Sequence, residues 1–313
     1  MTGMKKKWWH MMLLGLASAS FLTLLQVPAE ASPDKASTGL TAESKPAVAA
    51  GESTLSGYNR GRIAQENYEK LHGKEAFPLE KTDPEYADMM KKYIYGDIAE
   101  QMTITPVEQS LVVLSVLATN QNADLLPRAV EEALAAGATP LQIREAIYHI
   151  TPYVGFAKTE PAVRQMNEVF RRHGVKLPLK AQGTTTDADR FEKGLAYQTG
   201  KYGERITEMR ANTPAYEKHL QDDLSAFCFG DIYTRGTFGH KEREMLTVAA
   251  IGTLGIEAQF RSHVNGTLAA GATKEEVIGI ITAMNPYVGF PRTLWMLQIA
   301  NGCFAAAAQA KAQ

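Results

Sequence analysis

Glu244 and His263 are the residues whose types and spacing most directly suggest chemistry. A carboxylate that orients and charges an imidazole makes a general acid/base pair able to work near neutral pH. Nineteen residues separate the two, about 28 Å along one continuous helix and too far for cooperation. Thr253-Leu254-Gly255-Ile256, between them, allows a tight turn joining antiparallel helices. Glu244 lies eleven residues before Gly255 and His263 eight after it, so their depths along such a hairpin differ by about 4–5 Å. His263 shares an apolar stripe with Phe260, Thr267 and Leu268, which places it partly inside. On spacing alone, a satisfied inward-facing histidine without a catalytic task is the alternative.

The elements that must position this pair belong to an internal repeat. At an offset of 134 residues, Gly96-Asp97-Ile98 meets Gly230-Asp231-Ile232, and Leu134-Ala135-Ala136-Gly137-Ala138-Thr139 meets Leu268-Ala269-Ala270-Gly271-Ala272-Thr273. The same offset carries Pro152-Tyr153-Val154-Gly155-Phe156 onto Pro286-Tyr287-Val288-Gly289-Phe290. Two copies are too few for a solenoid, so the expectation is two similar domains packed as a pseudo-dimer. Within the repeat, Ser110 and Ala129 stand opposite Glu244 and His263, and neither can do the same proton chemistry. Only the second half keeps the pair, so the site of the first half is expected to be degenerate.

Each copy reads as helices. Thr105-Pro106-Val107-Glu108 combines an N-cap, a proline at the first helical position and a capping-box glutamate; Thr139-Pro140-Leu141-Gln142 and Thr273-Lys274-Glu275-Glu276 repeat the signal one helix later. Gly137 and Gly271 precede those caps where a helix end favours positive φ. No Val/Ile/Thr alternation points to a sheet, so the fold class is all-α. The Pro-Tyr-Val-Gly-Phe phrase fits a helix bend and close packing, and its Tyr287 could also line a pocket.

Residues 1–31 carry Lys5-Lys6-Lys7, an apolar run from Trp8 to Leu25 and an Ala29-Glu30-Ala31 cleavage pattern, as expected of a signal peptide leading to a periplasmic or secreted location. An uncleaved anchor is the alternative. Residues 32–56 have the composition of a flexible linker, and the two repeats span 57–175 and 188–313, joined by a polar segment. The 313 residues carry a formal charge of -1, and the only Lys run lies in the first ten residues, which gives nucleic-acid binding no electrostatic support. No HxxH, HExxH or zinc-type Cys/His spacing occurs, and no metal site is expected. Cys228 and Cys303 stand opposite the apolar Ile94 and Val169, which favours two packed thiols over a disulfide.

Residues 188–304 carry a resemblance. Ala188-Asp189-Arg190-Phe191-Glu192-Lys193-Gly194, Phe229-Gly230-Asp231-Ile232-Tyr233-Thr234-Arg235, Arg243-Glu244-Met245-Leu246-Thr247-Val248-Ala249-Ala250 and Tyr287-Val288-Gly289-Phe290-Pro291 resemble the carboxymuconolactone decarboxylase family, which shares its fold with the alkylhydroperoxidase D proteins. The resemblance implies two tandem copies of an alkylhydroperoxidase D-like helical domain. In the peroxidase branch two Cys lie between the Glu and the His; those positions are Ile256 and Gln259 here, so a CxxC thiol relay is absent. For decarboxylase members the resemblance implies loss of carbon dioxide from a carboxylated lactone with no metal or organic cofactor, and a small carboxylate or lactone as the partner. On that basis His263 is the proton donor or enolate stabiliser and Glu244 its orienting group. Arg261 and Arg235 are candidate carboxylate clamps, with Arg243 and Arg292 in reserve, although each also fits a solvated surface charge. The resemblance further implies a ring of six domains, here a homotrimer. An antioxidant activity without the CxxC pair and a non-catalytic oligomeric scaffold are the competing functions.

Overall fold

A computed structural model describes residue 55 and residues 57–312, apart from residue 123. The segment 1–31, and the linker 32–56 except Leu55, lie outside the described residues. All regular structure in the described residues is helical. The first half contains α1 (Arg60–His72), α2 (Pro84–Lys91), α3 (Pro106–Thr119), α4 (Leu126–Ala135), α5 (Pro140–His149), α6 (Thr151–Val154) and α7 (Phe156–Arg172). The second contains α8 (Arg190–Tyr202), α9 (Glu204–Ala211), α10 (Lys218–Asp223), α11 (His240–Leu254), α12 (Glu257–Ala269) and α13 (Lys274–Ala312). Among these helices, none is long and apolar enough to cross a membrane.

The local signals act where the sequence places them. Thr105 accepts from the Glu108 amide while Glu108 accepts from the Thr105 amide, and Thr139 and Gln142 do the same for α5. Thr273 and Glu276 close the equivalent bonds at the start of α13. In both copies the Pro-Tyr-Val-Gly-Phe phrase breaks the helix at its glycine: Gly155 separates α6 from α7, and Gly289 kinks α13. The Gly-Asp-Ile phrase falls in a π-helical stretch in both halves, Lys92–Ile98 and Leu224–Tyr233, whose aspartates pair with Arg60 and Arg190 at the starts of α1 and α8.

The two halves share their cores. Ile104, Val112 and Val116 of the first half pack into the apolar cluster built on Val248, Phe260, Ile281 and Met296. Reciprocally, Phe238, Leu246 and Ala250 pack into the cluster around Leu114, Ile147 and Phe170. The central helix of each half, α3 or α11, is therefore buried on nearly all sides, as its long apolar runs require. The joining segment is pinned to this body: Arg144 donates to the carbonyls of Leu179 and Lys180, and the Gly236 amide donates to the Gln182 carbonyl.

Candidate active site in the second half

Helices α11 and α12 form an antiparallel hairpin closed by Gly255, which sits in the left-handed region at φ 77° and ψ 34°. The hairpin brings Glu244 of α11 and His263 of α12 together, with Nδ1 of His263 2.9 Å from Oε2 of Glu244. Gly266, one turn beyond His263, makes room for the carboxylate: a Cβ there would lie 2.5 Å from Glu244 Oε2. The Glu244 side chain is fully buried, and that of His263 retains 16% exposure.

Three groups converge on the carboxylate. Tyr202 at the end of α8 donates to Glu244 Oε1 at 2.7 Å, and Tyr233 donates to the same oxygen at 3.2 Å. Burial pushes the Glu244 pKa up, but the His263 hydrogen bond and charge, with the Tyr202 hydroxyl, outweigh it and hold the carboxyl below its usual range. Glu244 is thus an anion at neutral pH, and burial keeps the Tyr202 and Tyr233 phenols protonated as donors. An anionic Oε2 requires the hydrogen on Nδ1 of His263, so Nε2 is the end free for a reactant; the described residues offer it no hydrogen bond.

Behind the carboxylate runs a second set of bonds. Nδ1 of His149 lies 3.3 Å from a guanidinium nitrogen of Arg243, and its Nε2 lies 2.9 Å from Thr247 Oγ1. Arginine only donates, so Nδ1 accepts and Nε2–H donates to the threonine hydroxyl, an assignment made from the network. Burial and the Arg243 charge push the His149 pKa well down and keep the ring neutral. Thr247 Oγ1 lies 3.2 Å from the Tyr233 hydroxyl, which also meets the Tyr153 hydroxyl at 2.6 Å. The Tyr153 ring meets the His263 ring edge-on, with centroids 5.8 Å apart.

Several sequence-derived candidates lie elsewhere. Tyr287 is not at this site: it lines a cavity of the first half, while its repeat counterpart Tyr153 enters the second-half site. Arg235 is not a free clamp, because its guanidinium is held by Glu145 of α5 at 2.5 and 3.0 Å and only 16% of its side chain is exposed. Arg261 is exposed and paired with Glu257 at 3.0 Å; two residues before His263 on one helix, it projects from a different face. Of the reserves, Arg243 is buried against His149 and the Arg235 carbonyl, and Arg292 lies over the Trp295 ring at the turn end of the hairpin.

The tyrosines and Thr247 are the surroundings of the Glu244–His263 pair that motif spacing missed. Tyr233 stands opposite Ala99 in the repeat, the same kind of half-to-half difference that singled out Glu244. Tyr153 carried no such signal. Cys228 and Cys303 are free and buried. Among the described residues no group of three or more His, Cys, Asp or Glu side chains is placed to hold a metal ion.

Fold and site together define a tandem all-α protein with a buried Glu–His pair in its second half. The profile of the Carboxymuconolactone decarboxylase family matches residues 84–168 and again 218–302, more than half of the sequence. The chain belongs to that family. It is 26% identical over 119 residues to a 4-carboxymuconolactone decarboxylase of Acinetobacter baylyi, a match spanning 38% of this chain and 89% of the relative. It is also 36% identical over 85 residues to an uncharacterized 15.0 kDa protein of Paracoccus denitrificans, spanning 26% of this chain and 63% of that one. A crystal structure described as a gamma-carboxymuconolactone decarboxylase subunit from Burkholderia xenovorans is 20% identical, with a TM-score of 0.46 over 81% of this chain and 98% of the other.

Proposed function

We propose that the second half is a decarboxylase site acting on a small carboxylated lactone by Glu/His acid–base chemistry, without a metal or organic cofactor. The observation that carries this reading is the 2.9 Å bond between His263 Nδ1 and a buried, ionised Glu244. It fixes the ring through Nδ1 and leaves Nε2 without a protein hydrogen bond among the described residues.

In the proposed reaction the bond between the lactone ring and its carboxylate breaks, and the electron pair moves into the ring as an enolate while carbon dioxide leaves. The protonated His263 delivers its Nε2 proton to the enolate, and Glu244 stabilises the imidazolium until then. The Tyr202 and Tyr233 hydroxyls hold the carboxylate in place and compensate its burial. Arg235 and Arg261 are engaged by Glu145 and Glu257, so in this reading the substrate carboxylate is met at His263 rather than by either arginine. A thiol peroxidase is disfavoured because burial pushes the Cys228 thiol up to about 12, leaving little nucleophilic thiolate.

The test is loss of 4-carboxymuconolactone by the purified parent, Glu244→Gln and His263→Ala. We expect kcat/KM to fall by about 10²- to 10⁴-fold in each variant, the range of a general acid/base contribution. Equal nonzero rates in all three proteins would overturn the proposal.

A further inference from the structure

The first half contains a cavity of about 300 Å3, within the size range of small-molecule sites. It occupies the place that corresponds to the Glu244–His263 site, because Ser110 and Ala129, the smaller counterparts of that pair, both line it. The first half has nevertheless not lost its carboxylate. Glu132 of α4 stands opposite Gly266, the position beside which the Glu244 carboxyl lies, so the same spot is reached from the other helix of the hairpin.

The supporting groups correspond as well. His72 at the end of α1 contacts Glu132 Oε1 at 2.8 Å, as Tyr202 at the end of α8 contacts Glu244. Tyr95 donates to the same Oε1 at 2.5 Å and the Arg128 Nε at 3.2 Å. Tyr287 crosses from the second half, as Tyr153 crosses in the opposite direction. All protein bonds to Glu132 end on Oε1; among the described residues Oε2 has no partner, and neither does the Tyr287 hydroxyl. The remaining wall combines apolar side chains, among them Leu71, Ile94, Met102, Ile104 and Val113, with the polar Asn67 and Gln109 and the exposed Lys70.

We propose that this cavity is a second ligand site, for a small, uncharged, largely apolar molecule carrying a hydroxyl group that donates to Glu132 Oε2. The apolar wall supplies affinity and the carboxylate selects the hydroxyl. An anionic group placed against Oε2 would be repelled by it, even with Lys70 on the wall. The proposal is independent of the chemistry at Glu244 and His263.

The test uses 2-naphthol as probe, titrated calorimetrically into the full chain, with naphthalene and 2-naphthoate as controls. We expect one 2-naphthol per chain, with naphthalene and 2-naphthoate each at least about tenfold weaker, the scale of one hydrogen bond to a charged group. Glu132→Gln and the cavity-filling Ala136→Leu should each weaken 2-naphthol by at least tenfold, while Glu244→Gln leaves its affinity within twofold. Circular dichroism and thermal melting establish that each variant is folded. No saturable binding to the parent, unchanged affinity in folded Ala136→Leu, tighter binding of 2-naphthoate, or loss of binding in Glu244→Gln would each overturn the proposal.

Discussion

At Glu244 the carboxylate depends on a side chain that is missing. Gly266 leaves the space that Glu244 Oε2 fills, and Gly266→Ala would put a methyl carbon 2.5 Å from that oxygen. The variant should push the carboxylate off His263 while leaving the rest of α12 helical, since alanine favours helix over glycine. Under the proposed function, lactone turnover is expected to drop at least tenfold with stability changed by only about 1–2 kcal/mol; full activity would show that the bond at Oε2 is dispensable. Glu244 and His263 were legible in the sequence because a proton-transfer pair differs chemically from Ser110 and Ala129. The arginines were not legible, since Arg235 and Arg261 carry the charge that a carboxylate clamp would need and only their neighbours, Glu145 and Glu257, decide that it is already compensated. Charge belongs to the residue, and its availability belongs to the packing.

The hairpin of α11 and α12 sets the register between Glu244 and His263, and Gly255 sets the hairpin. Its left-handed conformation costs an L-residue about 1–2 kcal/mol, and a Cβ there would collide with the Arg292 guanidinium. Gly255→Ala should therefore lower the free energy of urea unfolding by about 1–2 kcal/mol. An unchanged urea midpoint would show that the turn tolerates another geometry. The turn was readable from Thr253-Leu254-Gly255-Ile256, as were the caps at Thr105, Thr139 and Thr273, because both are local decisions of a few neighbouring residues. The π-helical stretches were not: Lys92–Ile98 and Leu224–Tyr233 have ordinary helical composition, and their wider turns accompany packing against α1 and α8.

The halves are held to each other by buried charge as well as by shared apolar cores. Glu145 of the first half, with a side chain 1% exposed, takes Arg235 of the second and its own neighbour Arg144. Burial raises the Glu145 pKa, but the two arginines more than offset this and keep it ionised. Removing one member strands a buried charge, so Arg235→Ala or Glu145→Ala should each cost about 3–5 kcal/mol of unfolding free energy. The double variant should cost clearly less than the sum, measured as a double-mutant cycle by urea unfolding. Additive losses would mean that the two residues stabilise the protein separately.

Helix content, the duplicated plan and the half that retains Glu244 and His263 were determined by the sequence alone, because caps, apolar periodicity and repeat differences act over short stretches or compare like with like. The exchange of Tyr153 and Tyr287 between halves, the engagement of the arginines, and the first-half cavity with its carboxylate from α4 were decided by tertiary structure. Each depends on which distant segments meet. Spacing along the chain does not determine that, whereas burial and hydrogen bonding across α3, α11 and α13 do.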